Sequence, residues 1–397
     1  MGMIRKYFGV FGAALLISCG GASSPSAPTV PAPTPGGTAA LTITGVTPAV
    51  PTMSVNAQTV TITGSGFQSG LTLTVTPPMP PTQALLTFTG TQVLSLTSTS
   101  FQVSVMLPMV GPYSFQVQNA NGDKSNTVMV TPAYRTSGTT WIPEGLRMNA
   151  TDSAGIFDTG IIRLTDGRWR LYYSGSNIIR SAISNDGLSF SLESGTRLPG
   201  GNPYPVRLDD GRIRMFYSPN ALGFGSAIST DDGLTFTVES GVRLTAAAAG
   251  FDSITNPAIV STSNGWRAYF SNGQAGTFTP YAIKSATSTD MLNWTMDGGV
   301  RIGAGSTLSA TSAHPSAILN ANGTVSLFYA REGVFPQSAF FVWTSTSADG
   351  LNFTTETLLE SLGKAADVNV IRVGSALRMY YNFYNLFSAL SASGQPQ

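Results

Sequence analysis

Five residues occupy equivalent places in a repeated pattern and carry side chains able to do chemistry: Asp158, Asn202, Asn256, His314 and Asp367, spaced 44 to 58 residues apart. Each opens an apolar run: Phe157-Asp158-Thr159-Gly160-Ile161, Gly201-Asn202-Pro203-Tyr204, Thr255-Asn256-Pro257-Ala258-Ile259, Ala313-His314-Pro315-Ser316-Ala317-Ile318 and Ala366-Asp367-Val368-Asn369-Val370. Two of the five are carboxylates, and one is the only histidine of the chain. Asp158 and Asp367, with His314 as proton donor, would make a hydrolytic set if burial and mutual repulsion separated their affinities for the proton. Asn202 and Asn256 exchange no proton and can act only by hydrogen bonding to a ligand. The bland alternatives stand beside this: carboxylates as exposed caps or partners of arginines, and His314 as a ring fixing the turn at Pro315. Arg163, Arg207 and Arg372 follow three of the positions by five residues. They offer bidentate binding of a carboxylate or sulfate, or pairing with Asp166, Asp209 or Asp210 at a rim.

What would bring such distant residues together is an internal repeat. Its first part is a strand, a polar turn and an aromatic strand, as in Arg163-Leu164-Thr165-Asp166-Gly167-Arg168-Trp169-Arg170-Leu171-Tyr172-Tyr173 and Arg207-Leu208-Asp209-Asp210-Gly211-Arg212-Ile213-Arg214-Met215-Phe216-Tyr217. Weaker copies end at Phe270, Tyr329 and Tyr381. A second strand follows, such as Arg180-Ser181-Ala182-Ile183-Ser184, and then a turn with an outer strand, such as Asp186-Gly187-Leu188-Ser189-Phe190 or Asp232-Gly233-Leu234-Thr235-Phe236. The outer part occurs four times after its strands. The fifth copy stands in front, where Trp141-Ile142-Pro143-Glu144-Gly145-Leu146-Arg147-Met148 echoes Phe190 to Leu198. The spacing predicts an all-β chain in which residues 139–397 form a five-bladed β-propeller closed by this N-terminal outer strand.

Residues 39–132 read as a β-sandwich, with short alternating runs separated by Gly, Pro and Asn. They resemble the immunoglobulin-like domains called IPT or TIG, through Ile43-Thr44-Gly45-Val46-Thr47-Pro48, Val60-Thr61-Ile62-Thr63-Gly64-Ser65-Gly66-Phe67 and Gly111-Pro112-Tyr113-Ser114-Phe115-Gln116-Val117. The resemblance implies an immunoglobulin-like sandwich that acts as a rigid spacer. Before it, residues 19–38 are a Ser/Pro/Gly-rich linker. Residues 1–18, with Arg5 and Lys6, an uncharged run and Leu16-Ile17-Ser18-Cys19, resemble a bacterial lipoprotein signal. That resemblance implies cleavage before Cys19, lipidation there, and anchoring to the cell envelope, with the outer membrane or cell surface favoured by Gly20.

The outer turns resemble the Asp-box of sialidases, which supports a propeller and carries no catalytic residue. The propeller region resembles the five-bladed superfamily of arabinanases, β-xylosidases and fructan hydrolases. In that family an Asp of the first blade is base or nucleophile and a Glu of a later blade is the acid. Asp158 matches the former, with Thr159 replacing the usual proline. Asn256 stands where an inverting member has a third-blade Asp, and His314 where the fourth blade offers its Glu. Two expected carboxylates are therefore absent.

Composition narrows the remaining classes. Lys and Arg total 21 and Asp and Glu 20, a net charge of +1 over 397 residues, which speaks against a basic nucleic-acid groove. Apart from Arg5, Lys6, Asp123 and Lys124, every charged residue lies after residue 131. One cysteine and one histidine leave no intrachain disulfide and no cluster of Cys or His ligands. No cofactor is expected; calcium stays open, since two Asp residues and carbonyls could coordinate it, although no dedicated calcium loop is present. The expectation is a monomeric, surface-anchored protein that binds a glycan in a central funnel or hydrolyses a glycosidic bond there. Its alternative is a non-catalytic adhesion or scaffold lipoprotein that binds other surface proteins.

Overall fold

The computed structural model describes residues 39–78, 85–109, 111–133, 140–150, 155–273, 281–303, 311–333 and 339–391. The signal and linker expected over residues 1–38, Cys19 included, fall outside these. Residues from Ala40 onward form one compact unit.

Alternating sequence in the first part makes a two-sheet sandwich. One sheet holds the strands Thr42–Thr47, Ser54–Ser65 and Ser100–Leu107; the other orders Leu86–Phe88, Thr72–Thr76, Tyr113–Gln118 and Val128–Val130. The strand Tyr113–Gln118 alternates buried and half-buried residues along its length. Its buried set joins Val60, Ile62, Leu73, Phe101 and Val103 in a single apolar core between the sheets, as period-two strands with one dry face require.

Five further antiparallel sheets follow, and each begins with one of the runs described above: Phe157–Arg163, Gly201–Arg207, Ser253–Thr262, Ser312–Leu319 and Ala366–Val373. These first strands neighbour one another in that order, and the last lies beside the first. The arrangement is propeller-like. The expected closure of a propeller by an N-terminal strand is nevertheless corrected, because no sheet is closed: each runs from one edge strand to another. Trp141–Met148 pairs antiparallel with Asn385–Ser391 and thereby supplies the fourth strand of the last open sheet. Hydrogen-bond ladders stop at the edges of each sheet, and apolar packing takes over between sheets. Tyr172 and Ile179 of one sheet share a buried cluster with Met215 and Tyr217 of the next, and Phe216 and Phe224 pack with Ile254 and Phe270 in the same way.

Charge is absorbed by a repeated internal pairing that spacing alone does not reveal. Arg170 grips Glu193 with both nitrogens at 2.7 Å while Ser181 donates to the same carboxylate. Arg214–Glu239–Ser226, Arg267–Asp297–Ser285 and Arg378–Glu144–Ser388 repeat this unit. In each unit the hydroxyl and the guanidinium together compensate the carboxylate's loss of water.

Candidate functional site

Asp158, Asn202, Asn256, His314 and Asp367 come together. All five line one narrow pocket of about 20 Å³ at the meeting point of the five first strands. The backbone explains how they get there. Each sits in a register shift between the first and second strands of its sheet, and each has a positive φ, between 46° and 55°. A bulge with a left-handed residue turns the side chain out of the alternating pattern and toward the common axis. Left-handed backbone costs an ordinary residue about 1–2 kcal/mol, and Asn, Asp and His tolerate it better than most. Three of the five are followed by proline, which has no N–H to leave unpaired beside the bulge.

Hydrogen bonds from neighbouring residues fix the two carboxylates and the backbone of the bulges. Ser174 donates to Asp158 Oδ2 at 2.5 Å and Asn382 to Asp367 Oδ2 at 2.7 Å. Ser271 accepts the His314 N–H at 3.0 Å, and Thr159 donates to the Asp367 carbonyl at 3.1 Å. The repeat pattern, which ends each copy at its second aromatic, stops one residue short of these supports. Ser174, Ser218, Ser271, Ala330 and Asn382 are the next residues of the five copies, so a signal for them is present.

The centre of the pocket is an ionic knot. His314 Nδ1 is in direct contact with Asp367 Oδ1 and lies 3.6 Å from Asp158 Oδ1. Asn256 Nδ2 donates to Asp158 Oδ1 at 3.1 Å and stands 3.1 Å from the imidazole nitrogen. Thr255 donates to Asn256 Oδ1 at 2.8 Å, which fixes the amide's orientation. Burial alone would strip His314 of its proton, but Asp367 and then Asp158 outweigh it and push the imidazole up to about 10. Burial would likewise raise Asp367, yet the imidazolium and the Asn382 amide hold it below the usual carboxylate range. Asp367 Oδ1 accepts no well-aligned hydrogen bond, so its compensation is the ion pair. Asn202 is the member outside the knot, and its amide has no hydrogen-bond partner among the described residues.

Asp158, His314 and Asp367 offer one ligand atom each within 4.8 Å of one another. Two carboxylates and an imidazole suit a small divalent transition metal better than calcium, which takes about 6–8 oxygens. Such an ion would have to displace the imidazole proton that the carboxylates retain.

The arginines end up elsewhere. Arg163, Arg207 and Arg372 do not line the axial pocket; five residues on, they stand about 16 Å along the strand at about 3.3 Å per residue. Arg163 packs over the Trp169 ring and bonds the Gly167 carbonyl. Arg372 bonds the Leu319 carbonyl. Arg207 pairs with Asp232 at 2.8 Å, while Asp166 and Asp210 are taken by Arg168 and Arg212.

No family model matches the chain, and no curated protein matches it. Solved structures do. One, described as a BT0996 RGII complex, is similar with a TM-score of 0.51 at 15% identity, covering 65% of this chain and 93% of its counterpart. Another, of a thermostable family-43 glycoside hydrolase, gives 0.50 at 13% identity, with 63% and 98% covered. The protein has a multi-sheet all-β fold similar to the folds of these structures. At these identities the likeness extends to the fold, and the chemistry of the site has to be argued from its own residues.

Proposed function

We propose that this chain is a glycan-binding protein built on a glycosidase-like fold, which holds a sugar over the mouth of the axial pocket without cleaving it. The observation that carries this reading is the position of His314 Nδ1 against both carboxylates. One oxygen each of Asp158 and Asp367 lie within 4.8 Å of each other, no farther apart than the carboxyl groups of retaining glycosidases at about 5–5.5 Å. Here, however, the imidazole fills the space between the carboxylates that an anomeric carbon would need. Proton supply fails as well. A general acid works best with a pKa near the working pH, whereas His314 is held near 10 and Asp367 is depressed. Among the described residues, the pocket lining contains no further carboxylate. What the pocket offers is a fixed set of donors and acceptors, with the Asn202 amide uncommitted, which is the equipment for recognising hydroxyl groups.

The lipidated Cys19, the linker and an IPT/TIG-type spacer belong to the same proposal: they would hold the binding site away from the envelope. Replacing Cys19 with Ala should move the protein from the membrane fraction to the soluble fraction and abolish incorporation of labelled palmitate.

The test is a panel of arabinan, xylan, fructan and β-glucan oligosaccharides titrated onto the full chain in detergent, reading heat and reducing ends together. Saturable heat with no new reducing ends, weakened by Asn202→Ala, is the expected result. Release of new ends that is lost in Asp158→Asn would show a hydrolase and overturn the binding-only reading.

A further inference from the structure

A second concavity opens between the first and second of the five sheets and shares Asp158 and Asn202 with the axial pocket. Its volume is about 360 Å³, within the about 300–1,000 Å³ of small-molecule sites, while the axial pocket alone falls far short of that range. Gly200 and Gly201 lie on its wall together with Ser174 and Ser218, and Phe157, 41% exposed, stands at its edge.

Ser218 marks this cleft as built for a ligand. It occupies in the second sheet the place that Ser174 has in the first and Asn382 in the fifth, and both of those bond the carboxylate in front of them. In the second sheet the residue in front is Asn202, and no such bond forms. Ser218 is 4% exposed and its Oγ has no hydrogen-bond partner among the described residues. A buried hydroxyl without a partner is a standing cost, removed when something brings a donor or acceptor to it. Ser218, with its unpartnered hydroxyl just beneath the wall, and Asn202, with its uncommitted amide, therefore line the same cleft, with an aromatic face beside them that can cover the apolar side of a sugar ring.

The charge of the cleft restricts what enters it. Among the described residues, neither the cleft nor the axial pocket has a Lys or Arg in its lining, and the ionisable residue they share is Asp158. A uronic acid or sulfated sugar would meet a site whose two carboxylates, Asp158 and Asp367, outnumber its one imidazolium.

From this, and resting on the glycan-binding reading above, we infer that the cleft between the first two sheets is a second sugar subsite, that it takes an uncharged unit through Ser218 and Asn202, and that the ligand spans at least two linked sugars. Titration of the full chain with arabinobiose, xylobiose, cellobiose and sucrose, each against its own monosaccharides, tests this, with digalacturonate as the acidic probe. At least one neutral disaccharide should bind ten or more times tighter than its monosaccharides, and digalacturonate should not bind. In Ser218→Ala that advantage should shrink about three- to tenfold, the worth of one neutral hydrogen bond. The variant's melting temperature should stay the same or rise, because an unpaired hydroxyl has been removed. Phe157→Ala should shrink the same ratio. Equal affinity for disaccharide and monosaccharide, an unchanged ratio in Ser218→Ala, or preference for digalacturonate would overturn the subsite while leaving glycan binding at the axis intact. Failure of every sugar to bind would overturn both.

Discussion

The Tyr172 hydroxyl donates a 2.8 Å hydrogen bond to the carbonyl of Gly233, joining the second strand of one sheet to the outer turn of the next. Tyr269 meets Gly350 and Tyr380 meets Gly187 in the same way. Where the tyrosine is replaced by Phe216, the turn of the following sheet carries Met291 in place of glycine and the ring packs on Trp294. Ring and turn are thus matched in pairs along the sequence.

Space explains the match. A Cβ on Gly233 would lie 2.1 Å from the Tyr172 oxygen, and its φ of +89° disfavours any other residue. Gly233→Ala should destabilise the protein by about 2 kcal/mol or more through clash and strain. Tyr172→Phe should cost about 1–3 kcal/mol by leaving a buried carbonyl without its donor. Because Tyr172→Phe removes the atom that clashes, the double variant should lose less than the sum. Denaturant unfolding of the four proteins checks this, and strictly additive losses would contradict the latch.

Tyr172 and Asp158 also show what the sequence makes legible. The repeat places the aromatics between sheets and brings the five pocket residues together, since both follow from periodicity and equal spacing. Closure is not legible in this way, because the echo at Trp141–Met148 reports pairing with the last strand, whereas sheet edges and side-chain packing decide whether anything closes. The chemistry of the pocket is hidden for another reason. Asn, Asp and His read as catalytic candidates, yet the same types are those that tolerate the left-handed bulge. Only the position of His314 between two carboxylates, a contact across 53 and 156 residues, separates a proton donor from a locked ion pair.

That locked pair sets a pH dependence. The His314 pKa is raised from an ordinary 6.5 to about 10 in the fold, so its contribution to stability is complete below pH 6.5 and is lost as the pH rises through about 10. Asp367 works at the other end: its lowered pKa contributes above the usual carboxylate range and is lost in acid. Since the sequence has one histidine, its Cε1 proton resonance can be followed without assignment. Its midpoint should lie well above 8 and drop toward 6.5 in Asp367→Asn. His314→Gln should flatten the stability profile between pH 7 and 10. A wild-type midpoint near 6.5 would remove the basis for excluding His314 as a general acid.

The same reasoning distinguishes ion pairs that look alike in sequence. Arg378 holds Glu144 through two 2.9 Å bonds, with side chains only 8% and 18% exposed, and so ties Trp141–Met148 to the last sheet. Removing one partner leaves a desolvated charge, so Glu144→Ala should cost about 3–5 kcal/mol. Asp166 and Arg168 pair at 2.7 Å with both side chains 47% exposed, and water replaces the lost partner. Asp166→Ala should therefore leave the unfolding midpoint in place. Equal effects of the two substitutions would show that burial is not what sets the value of these pairs.

The turn at Asp231-Asp232-Gly233 departs from the alignment that the repeat invites. By spacing, Asp232 aligns with Asp186, but Asp231 is the residue that accepts from Ser229 Oγ, Leu234 N–H, Thr235 N–H and Thr235 Oγ1 at 2.6–3.1 Å. Burial would raise its pKa, yet these donors pull it down to about 2. Asp232 is an insertion at φ +58°, released from the turn to accept from Thr165 and Arg207 across the junction with the neighbouring strands. Asp231→Ala should cost roughly 1–2 kcal/mol, like the loss of a side chain that caps several backbone N–H groups. It should also remove the stability that wild type keeps above pH 3.8 and loses as the pH falls through about 2. Asp232→Gly should come out near zero, because relief of the left-handed backbone offsets two partly exposed contacts. Thermal unfolding at pH 7 and pH 3 compares them directly, and a larger loss in Asp232→Gly would return the turn to the alignment the repeat suggests.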